Sequence, residues 1–189
     1  MIRTLAACAA TLAFAAPALA DNEGWEIRGG ITAHDLSDHV EDGPNVTVGL
    51  ATPSLGGPDW MFNPRGYVYG SFNTNGLTNF GGFGLEWDGD LNDRVSVVLG
   101  LGLTYNDGVT DIDPNSPPSD PNRIRLATTR SLMGNHILFH TTLGLDFEVT
   151  ENLVVRTYYE HISHGQILAS GRNQALDNAG VMIGWRFGG

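Results

Sequence analysis

The chain has 189 residues and a formal net charge of −11, from 10 Lys+Arg against 21 Asp+Glu, and every basic residue is Arg. This size holds one domain, at most two, and an acidic chain without a basic stripe excludes a nucleic-acid partner. The single cysteine, Cys8, excludes a disulfide scaffold and a cysteine-based zinc site. Glycine, at 25 residues, exceeds ordinary usage, and no window of 18 apolar residues exists to cross a membrane as a helix.

Residues 1–20 read as a cleaved secretory signal peptide. Met1-Ile2-Arg3 is a short positive start, Thr4 to Ala16 is an apolar run, and Ala18-Leu19-Ala20 is a small-x-small cleavage pattern before Asp21. Cys8 stands too near the start for a lipoprotein anchor and leaves with the signal. The mature chain is then 21–189; losing Arg3 takes its charge to −12, and it works outside the cytoplasm.

The mature chain shows period-two alternation broken by Gly, Pro, Asn and Asp clusters, which predicts strands over 25–34, 45–53, 65–73, 79–87, 94–105, 136–149, 153–163 and 177–187. No segment sustains helical periodicity for long. The second and third strands are the weakest, because Tyr67, Val68, Tyr69 and Phe72 do not alternate cleanly. The links 88–93 and 150–152 read as tight turns. The links 35–44, 106–135 and 164–176 read as long polar loops, and 54–64 is long on the otherwise short side.

One face of these strands is large and apolar: Val95, Val97, Leu99, Leu101 and Leu103 in the fifth, Val181, Ile183, Trp185 and Phe187 in the eighth. The other carries glycine beside both signs of charge: Arg28, Arg156 and Arg186 with Glu26, Glu86, Asp146, Glu148 and Glu160. A soluble sandwich exposes Lys, Glu and Thr rather than Gly on its polar face. Small residues and paired charges suit the inside of a narrow barrel whose outer solvent is lipid. The expected fold is therefore all-β, an eight-stranded antiparallel transmembrane β-barrel over 21–189 in the bacterial outer membrane. Trp25, Trp87 and Trp185 fall near one rim with Trp60 in a link beside them, and Tyr105 and Tyr159 fall near the other, as interfacial girdles require.

Candidate chemistry lies on the seventh strand. His161 and Ser163 are two apart, so they share a face with Cα atoms roughly 6.5 Å apart, and an imidazole can reach the hydroxyl. Parity places Arg156, Tyr158 and Glu160 inside and His161 and Ser163 outside, at the loop end. Asp177 opens the eighth strand on the same outer side and pairs across from His161. A serine needs an adjacent base, and the base needs an orienting acid. An enzyme so placed acts on a lipid without removing it from the membrane.

The segments Tyr159-Glu160-His161-Ile162-Ser163, Asn173-Gln174-Ala175-Leu176-Asp177-Asn178 and Gly184-Trp185-Arg186-Phe187, with Gly29-Gly30-Ile31-Thr32-Ala33-His34-Asp35, resemble the lipid A 3-O-deacylase (PagL-type) family. The resemblance spans the mature chain loosely and is specific mainly in the last thirty residues. It implies a carboxylic ester hydrolase that removes the acyl chain at position 3 of lipid A, with Ser163 as nucleophile, His161 as base and Asp177 as orienting acid. Asn173 matches an asparagine that helps bind the oxyanion, and His164 and Gly165 follow the serine as substrate-binding candidates. Asp177 replaces a usual Glu, His164 a usual Asn and Gly165 a usual Ala, and the loop is about two residues longer. His164 either supplies the missing amide donor or marks a slowed or silent enzyme.

The reading calls for no cofactor and no catalytic metal. The expected partner is lipid A/lipopolysaccharide of the outer leaflet, with a homodimer left open. His136 and His140, sharing the inner face with Asp146, suit an interior hydrogen-bond network, and His34 and His39 a solvated loop. The acidic loops 35–42 and 107–120 suit divalent ions shared with lipid phosphates, which Arg123, Arg125 and Arg130 could meet directly. The competing functions are a catalytically silent structural or adhesive barrel and a soluble lipid carrier with the apolar face inward.

Overall fold

The computed structural model describes residues 24–189; the expected signal peptide and Cys8 lie outside the described residues. The strands are β1 (Trp25–Ala33), β2 (Pro44–Ser54), β3 (Arg65–Asn73), β4 (Phe80–Asn92), β5 (Val95–Asn106), β6 (Ile137–Glu148), β7 (Leu153–Ser163) and β8 (Leu176–Phe187). Each pairs antiparallel with its chain neighbours, and β8 returns to β1 with Trp25 opposite Phe187 to close the barrel. Among the described residues closure leaves no edge strand, which is what allows a sheet to stand in hydrocarbon.

The alternation resolves as a lipid solvent requires. Ile31, Val48, Phe83, Leu101, Leu143 and Ile183 point outward and exposed, while Glu26, Arg28, Thr47, Glu86, Asp146 and Arg156 are buried within. The fold is an all-β, eight-stranded antiparallel transmembrane barrel.

The lumen at the short-turn end is an ion-pair lattice. Arg156 grips Asp146 through Nε (2.6 Å) and Nη2 (2.7 Å) and reaches Glu86 through Nη1 at 3.1 Å. Arg28 holds Glu86 and Glu26, and Arg65 and Arg186 reach Glu26 at 3.3 and 3.2 Å. Buried charges are tolerable only when paired and hydrogen-bonded, and here each arginine fork meets carboxylates on more than one strand. Above this lattice the glycines make room for aromatic rings. A Cβ on Gly84 or Gly102 would stand 2.6 or 2.7 Å from the Tyr67 hydroxyl. That hydroxyl donates to His140 Nδ1 (2.9 Å), and His140 Nε2 donates to Glu160 (2.9 Å). Tyr67 and Tyr69 thus alternate properly with Val68 and Phe72; the blurred pattern in β3 arises because its inner positions are themselves aromatic.

Several expectations are corrected. β4 runs on through Asp88-Gly-Asp-Leu-Asn, so the turn is only 93–94: Asp90 takes the Ser96 hydroxyl at 2.8 Å across the extended hairpin. The loop between β5 and β6 contains a helix, α1 (Pro121–Thr129), started by Pro121 and by the Asp120 side chain accepting from the Asn122 N–H. His136 leaves the inner face, donates to the Asn106 carbonyl and stacks on Tyr105. His34 is buried rather than solvated: its Nδ1 accepts from Asn45, its Nε2 donates to Glu41 at 3.2 Å, and its ring stacks on Phe80. His39 is exposed.

Arg156→Met leaves Glu86 and Asp146 buried without their shared partner, a loss of about 3–5 kcal/mol. The expected result is a lower guanidinium midpoint for loss of the folded, fast-migrating band on unheated gels. An unchanged midpoint contradicts the lattice as a stabilising element.

Candidate active site

The loop end of the barrel is plugged by an apolar cluster of Phe80, Met133, Leu138, Ile162 and Leu176, with Tyr69 packed against it. Two of these are the immediate neighbours of the candidate residues. Ile162 sits between His161 and Ser163, Leu176 precedes Asp177, and both are fully buried. Burying one parity of β7 and β8 turns the other outward, so the plug sets the direction of His161, Ser163 and Asp177.

Register does the rest. His161 pairs directly with Asp177 across β7 and β8. The His161 Nδ1–H donates to Asp177 Oδ1 at 2.7 Å, and the Ser163 hydroxyl donates to His161 Nε2 at 3.0 Å. The acid therefore selects the tautomer that leaves Nε2 free to take the serine proton. The His161 side chain remains 44% exposed and that of Asp177 14%, while Ser163 as a whole residue is 8% exposed. The three side chains stand together at the outer rim, with the base accessible and the hydroxyl shielded. Chemically this is a nucleophile, a base and an orienting carboxylate in hydrogen-bond contact.

The 164–175 loop is held from within. The His164 side chain is buried; its Nε2–H donates to the Arg172 carbonyl at 2.7 Å, and its Nδ1 accepts the Gln166 amide at 3.1 Å. With both ring nitrogens engaged, His164 braces the loop. Its backbone N–H is also occupied, by Asn173 Oδ1 at 3.1 Å. That contact sets the Asn173 amide against the Ser163–His164 peptide and leaves its Nδ2 as a donor there. Gly165, with φ 59°, turns the chain beside Phe139 and is exposed.

Sequence reading missed what fixes this loop. Leu132 and Gln174 exchange hydrogen bonds, Leu132 N–H to Gln174 Oε1 at 2.9 Å and Gln174 N–H to the Leu132 carbonyl at 3.1 Å. Gly134 has φ +73°, and a Cβ there would stand 1.9 Å from the Arg172 carbonyl and 2.8 Å from His164 Nε2. The glycine lets the β5–β6 loop lie against the 164–175 loop. A second clasp lies behind Asp177. Asp35 accepts the Val40 and Glu41 amides and the Ser131 hydroxyl, and the Leu36 amide donates to the Asp177 carbonyl at 2.7 Å. Arg130, expected at lipid phosphates, faces Glu41 instead at 3.2 Å. Arg123 is spent on loop carbonyls, and Arg125 bonds Asn122. Among the described residues no group of three or more His, Asp or Glu side chains is arranged to hold a metal.

Glu41 lies in the β1–β2 loop, outside the strands. Burial works against its charge, but hydrogen bonds from His34 and Thr78, with Arg130 adjacent, hold its carboxyl below the ordinary value of 4.5.

On the outer surface below His161 a shallow trough descends between Leu143, Leu145, Thr157, Tyr159, Ala179 and Val181. Thr157 and Ala179 form its low floor among larger neighbours.

This closed barrel with an apolar exterior matches the family described as outer membrane protein beta-barrel domain over residues 6–187. The chain belongs to that family, and its place is the bacterial outer membrane. No curated protein matches it in sequence. Solved structures with the same fold include the outer membrane enzyme PagL, 10% identical, TM-score 0.58, covering 86% of this chain and 99% of that one. Neisserial surface protein A is 14% identical, TM-score 0.56, covering 86% and 97%. A de novo designed transmembrane barrel is 12% identical, TM-score 0.54, covering 89% and 99%. At these identities the likeness is one of fold.

Two predictions follow from the loop contacts. Gly134→Ala forces the 164–175 loop outward, so trypsin cuts after Arg172 at least about tenfold faster in the folded protein; an unchanged cutting rate contradicts the bracing. The Glu41 carboxyl is depressed on folding, so its contribution is complete above 4.5 and lost as pH falls through its lower folded value. The protection factor of the Ser131 amide, which donates to Glu41 at 3.1 Å, should stay flat above about pH 6 and fall below pH 4.5. A factor flat throughout contradicts the clasp.

Proposed function

We propose that this protein is an outer-membrane serine esterase that hydrolyses the ester-linked acyl chain at position 3 of lipid A. The supporting observation is the continuous hydrogen-bond path from Ser163 through His161 to Asp177 on the lipid-facing side of the barrel. The Ser163 oxygen attacks the ester carbonyl carbon while His161 Nε2 takes its proton. Asp177 steadies the imidazolium that forms. The tetrahedral oxyanion is met by the Asn173 Nδ2 donor beside the Ser163–His164 peptide. Collapse breaks the bond to the sugar oxygen, which leaves with the proton returned by His161. Water, deprotonated by the same imidazole, then frees the fatty acid from Ser163.

The membrane supplies the substrate in position. A lipid whose ester lies at the headgroup boundary reaches the exposed His161 edge laterally, and its acyl chain continues down the trough over Thr157 and Ala179. Residues 1–20 act as the export signal for the barrel domain 21–189. The rival reading, a silent structural or adhesive barrel, draws on one observation: the amide after the serine is already bonded to Asn173 and offers the oxyanion nothing.

Ser163→Ala decides between them. Lipopolysaccharide incubated with the folded wild-type protein should lose one acyl chain by mass and release a hydroxy fatty acid, and the variant should slow this by roughly a thousandfold or more. Both proteins should keep heat-modifiable migration. Release unchanged in the variant, or absent in the wild type, sinks the esterase reading.

A further inference from the structure

Asp177 Oδ1 serves two donors. Besides the His161 Nδ1–H at 2.7 Å, it accepts the Tyr159 hydroxyl at 2.5 Å. Tyr159 stands two residues before His161 on the same outer row and pairs with Ala179, one diagonal step from Asp177. Its ring is 46% exposed at the head of the trough. A tyrosine at a barrel rim is accounted for by the membrane interface alone. The hydroxyl is not: it has turned from the headgroup layer onto the one carboxylate oxygen that orients the base.

We propose that Tyr159 is a positioning residue for the esterase site, holding the Asp177 carboxylate in the rotamer that aligns the His161 imidazole on Ser163. The inference rests on the esterase reading. Asp177 is the second residue of β8, where a loop meets the strand, and no residue of β8 precedes it on the outer row. The Leu36 amide fixes only the Asp177 main chain, through its carbonyl. The carboxylate itself needs a side-chain tether, and among the described residues the hydroxyls that face it are those of Ser37 and Tyr159. Of these, Tyr159 reaches the same oxygen as the imidazole from the opposite side along the strand. Loss of its hydroxyl frees the acid to rotate, and the imidazole follows.

The test is the rate at which a fluorophosphonate probe labels Ser163 in the detergent-folded protein. This reaction needs the activated hydroxyl but no lipid A. Tyr159→Phe keeps the ring and removes only the hydroxyl. It should slow labelling about tenfold, the scale of one lost charge-assisted hydrogen bond. In an Asp177→Ala background the same substitution should change the rate by less than about twofold, because the hydroxyl then has nothing to hold. A role confined to membrane anchoring predicts equal effects in both backgrounds. With lipopolysaccharide, kcat should fall while KM stays near its wild-type value. Wild-type labelling that depends on Ser163, with Tyr159→Phe labelled at the same rate, overturns the positioning role and leaves the esterase reading intact. A wild-type protein that the probe does not label overturns both.

Discussion

Closure of β1 onto β8 is the constraint from which the other features follow. Once the sheet has no edge strand, its backbone ladders close on themselves, and the outer surface is free to be hydrocarbon-facing. A side-chain period of two then divides every strand into a row for lipid and a row for the lumen. The lumen is too narrow to stay empty. Its lower part is filled by arginine–carboxylate pairs, its middle by Tyr67, Tyr69 and His140, and its loop end by the Met133 cluster. The candidate site stands on the outer row because Ile162 and Leu176 occupy the inner one.

Much of this could be read from residues alone, for a physical reason. Strand parity is local, and pairing of consecutive strands follows from their order. The outward direction of His161 and Ser163, and the position of Asp177 across from them, need only β7, β8 and the loop between. The β3 limits, 65 and 73, coincide with expectation for the same reason. What escaped reading depends on which side chains meet across a hairpin or between loops. Polar composition in 88–92 suggests a turn, yet Asp90 finds Ser96 across the hairpin. Leu132 and Met133 lie in a loop of Ser, Asn and Gly, and nothing local says that Met133 closes the barrel or that Leu132 meets Gln174. His34 looks like a loop residue until Glu41, Asn45 and Phe80 surround it.

The loops are correspondingly more than connections. The β5–β6 loop delivers Met133 to the plug, Leu132 to Gln174 and Gly134 to the back of Arg172. The β1–β2 loop delivers Leu36 to the Asp177 main chain. Both therefore act on the 161–177 region without contributing a reacting atom. His164 belongs with them: it is buried, bonded through both ring nitrogens and through its backbone amide to Asn173.

The central claim is that His161 and Ser163 meet the acyl region of the bilayer rather than the lumen or bulk water. It is tested most directly in bilayers of a lipid that carries a photoreactive diazirine on the acyl chain next to the ester carbonyl. After illumination, mass spectrometry should find adducts on the outer row of β7 at its loop end, residues 157 to 163, and on Ala179 and Val181. Adducts on the outer rows of β1 to β4 at the same depth, with the loop end of β7 unmodified, would contradict it.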